Sequence, residues 1–264
     1  MSDYRTESRH GWGSVAEGWE KHAGSQRRAW MPVTAWLLDA AELQPGATVL
    51  ELASGTGEVG LMAQELIQPG GELIMSDFAP EMLHAAQKAA EGLHGIRFKQ
   101  IDLDSPIDIT AGSQDAVLCR WGLMFLADPE AGMREIRRVL RPGGRVALAT
   151  WTHPDENPWS SVPQRLLGDE PDLDAPGQYA LSREGRLLEL FENAGFVDDI
   201  EITSVAIERV ETFDHFFQVT TEMSRSGPQL TGRRDELRAA MEPFVGDDGL
   251  LHLPGRTWVA AASA

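Results

Sequence analysis

The chain has 264 residues and a formal net charge of -18, with a single cysteine, Cys119. One cysteine excludes an internal disulfide framework and a multi-cysteine metal centre, and the acidity opposes binding to nucleic acid or to an anionic membrane. No apolar run reaches the roughly 20 residues that cross a bilayer, and the polar start, Met1 to His10, is no signal peptide, so a cytoplasmic protein is expected.

In chain order, residues 1 to about 45 hold Trp12, Trp19, Trp30 and Trp36, and the spacing of Val33, Trp36, Leu37 and Ala40 predicts a helix from Trp30 to Leu43. This stretch reads as a helical lid on the domain formed by residues 46–264. "ATVLEL" is a predicted strand, "VGLMAQELI" a helix, "GELIMSDF" a strand, and "PEMLHAAQKAAEGL" a helix with Pro80 in its first turn. "IRFKQID" and "QDAVLCRWG" are the third and fourth strands. "PEAGMREIRRVL" is a helix closed by the turn "RPGG", and "RVALATW" is the fifth strand. The arginines of that helix read as a solvated face. Residues 152–182, rich in Pro, Asp and Gly, form an excursion; "REGRLLELFENAGF" is amphipathic and "VDDIEITSVAIERV" is a strand. Residues 212–245 suggest one or two helices, and "RTWVAAASA" is a closing strand. Strands alternating with helices predict an α/β fold: a Rossmann-like, doubly wound, mostly parallel sheet of seven strands. Helical cap elements are expected in two insertions, about 152–182 and 205–250.

The first strand runs into Gly55-Thr56-Gly57-Glu58-Val59-Gly60, a literal G-x-G-x-x-G. Such loops cradle the pyrophosphate of NAD on a helix N-terminus, which favours negative ligand charge. Here Glu51 ends the strand and Glu58 lies in the first turn of the helix, so two carboxylates would repel a pyrophosphate and suit a cationic ligand. Asp77 ends the second strand, where a carboxylate takes both ribose hydroxyls. Asp102, read as the end of the third strand, is placed to accept from an adenine amino group. An adenosine derivative with a cationic tail and no phosphates is expected, and S-adenosyl-L-methionine meets that description.

The stretch from Thr48 to Trp151 resembles the class I S-adenosylmethionine-dependent methyltransferases, in particular the small-molecule branch with the ubiquinone and menaquinone C-methyltransferases. "VLELASGTG" resembles the family's first motif, "LIMSDFAPEML" the second, "FKQIDL" the third, and "DAVLCRWGLMFLADPEAGMREIRRVLRPGGRVALATW" the fourth strand, its helix and the Pro-Gly-Gly turn. The resemblance implies that Glu51 and the backbone of Ala53, Ser54, Gly55 and Gly57 surround the methionine part of the cofactor. It also puts Asp77 on the ribose, Phe78 and Met82 beside the adenine, and Asp102 and the Leu103 N–H on the adenine edge. Arg120 and Trp121 would lie between cofactor and substrate. Ala53 stands where the motif usually has its first glycine, which an alanine tolerates if its φ is negative.

Methyl transfer from a sulfonium needs alignment and exclusion of water, with a general base only when the acceptor must lose a proton. His153, which follows the fifth strand, and His22 are the candidate bases. Trp19, Trp121, Met124 and Trp151 are the expected walls of a substrate pocket, with Trp12, Trp30 and Trp159 as further lid or substrate contacts. The cluster "THPDE" is too short a pattern for a metal site, and no metal is expected. The expected partner is a small, fairly apolar organic acceptor methylated on O, C or N, for a monomer or homodimer. Three other readings stand beside it. A nucleic-acid or protein methyltransferase is one, although Cys119-Arg120-Trp121-Gly122 replaces the Asn/Asp-Pro-Pro-aromatic motif of enzymes that methylate exocyclic amines. The others are a non-catalytic S-adenosylmethionine-binding protein and an NAD-dependent dehydrogenase.

Overall fold

The computed structural model describes residues 2–197 and 199–264, residues 2 and 3 by their backbone alone. Its sheet follows from alternation in the sequence. The apolar runs of β1 (Thr48–Leu52), β2 (Glu72–Asp77) and β4 (Gln114–Arg120) are buried almost throughout, as strands covered by helices on both faces must be. With β3 (Ile96–Gln100), β5 (Leu140–Trp151), β6 (Glu201–Glu211) and β7 (Leu251–Ser263), they form seven strands in the order β3-β2-β1-β4-β5-β7-β6. Only β7 runs antiparallel to its neighbours. The order reverses between β1 and β4, and the crevice beyond their carboxyl ends is where such sheets bind ligands.

Around the sheet lie α2 (Glu58–Leu66), α3 (Pro80–Ala89), α4 (Pro129–Val139), α5 (Pro158–Leu166) and α6 (Arg186–Asn193). Proline opens α3, α4 and α5, where its missing N–H costs nothing. Asp128 caps α4 by accepting from the Ala131 N–H at 2.8 Å.

The largest departure from expectation is at the N-terminus. One helix, α1, spans Ser2–Ala40 in place of the shorter helix expected from Trp30, and it continues through Pro32. Its C-terminal half buries Trp30, Val33, Leu37 and Leu38 in the main core. Its N-terminal half packs Val15 and Ala16 against Ala79 and Met82 at the start of α3. Close approach explains two of its glycines, Gly13 and Gly18. A Cβ at Gly13 would meet the Glu81 carboxylate, and one at Gly18 would strike the Glu222 carbonyl oxygen on α7 (Phe213–Met223).

Three boundaries also move. "RPGG" is a bulge inside β5 rather than a turn before it: Gln114 pairs with Leu140 and Ala116 with Arg145, and Gly143 takes φ 74° to absorb the extra residues. β3 ends at Gln100, so Asp102 lies in the following loop. β6 runs to Glu211, so the second insertion begins after it, with α7, α8 (Gly227–Leu230) and α9 (Arg234–Met241), not at residue 205. Phe213 and Phe216 of α7, Leu237 and Met241 of α9, and Leu251 and Leu253 form a separate small core there.

Candidate functional site

Beyond the carboxyl ends of β1 and β4, α1, the β-strand loops and the two insertions enclose a cavity of about 750 Å³. Among the cofactor residues expected from sequence, Glu51, Ala53, Ser54, Gly55, Asp77, Phe78, Met82, Asp102, Leu103 and Arg120 line it, as do Trp19, Trp121, Met124 and Trp151. Gly57 does not. It stands at the N-cap of α2 with φ 93°, and a Cβ there would meet the Met75 side chain.

The glycine loop is held by its neighbours. The Asp77 carboxylate accepts from the Gly55 N–H at 2.8 Å and the Ala79 N–H at 2.9 Å. Burial pushes Asp77 up to about 6, and these backbone donors hold it back. Glu51 is 2% exposed, and its Oε2 has no hydrogen-bond partner among the described residues. Burial pushes this carboxyl up to about 8, opposed by the Arg120 guanidinium and the Gly60 N–H. A Cβ at Gly60 would collide with Glu51, so glycine there makes room for the carboxyl.

Two sequence expectations need correction at this loop. Ala53 has φ 51°, in the left-handed region rather than at a negative angle. Glu58 is not a free negative charge. It pairs with Arg120 at 2.8 Å, and Arg120 also donates to the Thr34 hydroxyl at 2.5 Å and lies over the rings of Trp121 (4.8 Å) and Trp30 (5.6 Å). Of the two glutamates, Glu51 has no ion-pair partner among the described residues.

Six tryptophans form a continuous wall of the cavity. Trp12 meets Trp19 (6.2 Å between ring centroids), Trp19 meets Trp30 (5.4 Å), and Trp30 meets Trp121 (5.3 Å). Trp121 stacks on Trp151 at 4.4 Å with 14° between planes, and Trp151 meets Trp159 at 4.9 Å. Trp121 reaches this position with φ 60°, a strained angle for a bulky residue, fixed by an indole N–H bond to the Thr257 hydroxyl at 3.0 Å.

The first turn of α1 closes the cavity. The Tyr4 hydroxyl donates to the Phe125 and Pro176 carbonyls at 3.1 and 3.4 Å, and Arg5 pairs with Asp102. Tyr4, Arg5, Arg209 and Arg225 line the cavity and were not legible in the sequence. The first two lie in a polar leader and the last in the loop "SRSG", contexts that carry no ligand signal. Arg209 is 6% exposed, pairs with Glu211 at 2.7 Å and lies over Trp159.

His22 and His153 lie outside the cavity lining. His22 is buried between α1 and α7 and bonds Glu222 at 2.6 Å. His153 accepts from the Asp155 N–H at the start of a short 3-10 turn. The position of His22 reflects helix packing, and that of His153, after the fifth strand, reflects capping. Cys119 is fully buried and its thiol is pushed up to about 12. Among the described residues no group of three or more His, Cys, Asp or Glu is gathered to hold a metal ion, and no helix is long and apolar enough to cross a membrane.

The methyltransferase-domain family model matches residues 50–148. A demethylmenaquinone methyltransferase of Thermus thermophilus is 36% identical over 115 residues, 43% of this chain and 51% of that protein. The ubiquinone/menaquinone biosynthesis C-methyltransferase UbiE of Hahella chejuensis is 30% identical over 131 residues, 48% of this chain and 51% of that protein. The chain thus spans about half the length of these curated relatives. Among solved structures, the YcgJ protein of Bacillus subtilis covers 87% of this chain, and 97% of itself, with TM-score 0.62 and 18% identity. Phosphoethanolamine N-methyltransferase 2 of Haemonchus contortus, in complex with S-adenosyl-L-methionine, covers 87% of this chain and 51% of itself, with TM-score 0.56 and 18% identity. At these identities the likeness is one of fold.

Proposed function

We propose that this chain is a class I S-adenosylmethionine-dependent methyltransferase, a reading supported by the methyltransferase-domain match over residues 50–148, and that it methylates a small, largely apolar acceptor held against the tryptophan wall. One observation carries the reading: the residues of the Glu51–Asp77 loop and six indoles line one cavity of about 750 Å³. That volume falls within the roughly 300–1,000 Å³ of sites that bury small ligands. It accommodates a nucleoside cofactor and a modest second molecule.

The residues present fit the cofactor. Glu51 offers a buried carboxylate oxygen without a partner, suited to a cationic group, and Asp77 offers a carboxylate at the end of β2, suited to vicinal hydroxyls. When bound, S-adenosylmethionine supplies a methyl group already activated by its sulfonium. The chain's own part is binding, alignment and exclusion of water. Asp77 fixes the ribose and, through the Gly55 N–H, the loop beside it. Phe78 and Met82 flank the adenine. Arg120, tied to Glu58 and Thr34, holds Trp30 and Trp121 as a rigid boundary between donor and acceptor. The first turn of α1, pinned by Tyr4 and Arg5, keeps bulk water from the reacting atoms. Neither histidine candidate reaches the cavity, so the acceptor is one that needs no histidine base.

Calorimetric titration of the wild type and of Asp77→Ala with S-adenosylmethionine, S-adenosylhomocysteine and NAD tests this. Micromolar binding of the two adenosyl ligands, weakened at least about tenfold in the variant, is expected. Binding of NAD instead would sink the reading. A screen for S-adenosylhomocysteine release with small aromatic nucleophiles then identifies the acceptor.

A further inference from the structure

Four arginines line the cavity, and three are committed: Arg5 to Asp102, Arg120 to Glu58 and Arg209 to Glu211. Arg225 is different. Among the described residues no carboxylate stands at ion-pair distance from it and no acceptor takes a hydrogen bond from its guanidinium. Its partners are two ring faces, Trp12 at 5.2 Å and Phe125 at 5.6 Å. The Tyr4 hydroxyl and Asp169 face it from farther away, and its poorly solvated surroundings hold its pKa below the usual arginine range. A cation in such a place ordinarily has a counter-ion.

The fold keeps it there. Arg225 follows α7, whose last turn is clamped to α1: the Trp19 indole donates to the Met223 carbonyl at 3.0 Å, and Lys21 and His22 hold Glu222 at 2.7 and 2.6 Å. Gly11 on α1 gives the side chain its path, because a Cβ there would stand 2.7 Å from Arg225 Cδ. The result is a guanidinium on an aromatic platform in the cavity lining, with no ion-pair partner among the described residues.

We infer that Arg225 is the contact for an anionic oxygen group on the methyl acceptor, which makes the acceptor an apolar, ring-bearing acid rather than a neutral molecule. The inference rests on the methyltransferase reading for the identity of the second occupant. The aromatic platform takes the apolar body, and the guanidinium takes a carboxylate or similar group bidentately. The acceptor's reacting atom is thereby set at a fixed distance from its acidic end.

The test uses the purified full chain and two probes of the same shape, biphenyl-4-carboxylate and biphenyl-4-carboxamide. Both are titrated calorimetrically with and without saturating S-adenosylhomocysteine. The wild type is expected to bind the carboxylate at least about tenfold more tightly than the amide. In Arg225→Gln that preference should shrink to about twofold or less, and Arg225→Lys should restore part of it, while S-adenosylhomocysteine affinity stays within about twofold throughout. Equal affinities in the wild type, absence of carboxylate binding, or an undiminished preference in Arg225→Gln overturns the inference. So does a loss of S-adenosylhomocysteine binding confined to Arg225→Gln, which assigns the guanidinium to the cofactor's own carboxylate. Failure of S-adenosylhomocysteine to bind the wild type removes the methyltransferase reading instead, and the comparison of the two probes without it still decides whether Arg225 selects anions.

Discussion

Ala53 in the glycine loop and Trp121 after β4 hold left-handed backbone angles, φ 51° and 60°. The first is a residue type at odds with its conformation. Replacing Ala53 by glycine removes a Cβ penalty of about 1 kcal/mol and returns part of it as unfolded-chain entropy. Ala53→Gly is therefore expected to raise stability by roughly 0.5 kcal/mol in urea titration, with cofactor affinity unchanged or improved. A destabilised variant would mean that the alanine methyl contributes packing that outweighs the strain. Glu51 gives a second prediction. Its folded pKa, about 8, lies above the ordinary carboxylate value, so the folded chain binds its proton more tightly than the unfolded chain does. Stability in the absence of ligand should fall as pH rises from about 4.5 through 8, and Glu51→Gln should abolish that part of the fall. A cationic ligand beside Glu51 favours the ionised form. S-adenosylmethionine binding should then release a proton below pH about 8 and tighten with pH, by at most about tenfold per unit. Titrations in buffers of different ionisation enthalpy measure that proton. A Glu51→Gln protein that still releases it would assign the effect elsewhere. The acidic residues of the loop were legible in the sequence because strand ends are fixed by period and glycine. The sign of Ala53 φ and the pairing of Glu58 with Arg120 were not, since both depend on residues far apart in the chain.

At the scale of elements, α1 is the part that sequence periodicity understated. Its glycines lower helix propensity and hide the pattern, yet three of the four, Gly11, Gly13 and Gly18, stand where other elements touch it. They are not equivalent, which supplies a paired test. Gly24 has open space around its would-be Cβ, so Gly24→Ala should stabilise by about 0.5–1 kcal/mol. Gly18 abuts the Glu222 backbone, so Gly18→Ala should destabilise by about 1–3 kcal/mol and loosen α1 from α7. Chemical denaturation of both variants checks the contrast, and a stabilising Gly18→Ala would show that the two helices can separate without cost. The same contact carries a pH signature. Lys21 and His22 hold Glu222 down to about 2, so its contribution is present above the ordinary carboxylate range and fades as pH falls from about 4.5 towards 2. Hydrogen exchange in residues 15–25 should accelerate over that interval and not above it. The strand and helix order from Thr48 to Trp151 was legible because each element is short, amphipathic or fully buried, and bounded by Gly or Pro. The insertions were less so. Their helices owe their existence to the small core around Phe216 and Leu251, which only the assembled chain brings together.

For the whole molecule, the cavity is built from distant parts of the chain: Tyr4 and Arg5 of α1, the strand ends, and the loop after α7. A ligand that spans these parts binds only the folded state. S-adenosylhomocysteine at about 100 times its Kd should add roughly 2.7 kcal/mol of stability and raise Tm by about 5–10 °C. An unchanged Tm at that concentration would contradict the assignment of the cavity. The same gathering of distant segments explains why the tryptophans could be counted in the sequence but their continuity could not. The near-parallel pair Trp121 and Trp151 is close enough for their excited states to be shared rather than separate. Coupled indoles give a paired positive and negative band in ultraviolet circular dichroism when their transition dipoles are skewed, with a size set by that skew. The protein thus contains its own optical reporter in the cavity wall. A molecule seated against that wall writes its presence into the light the protein absorbs, with no label added.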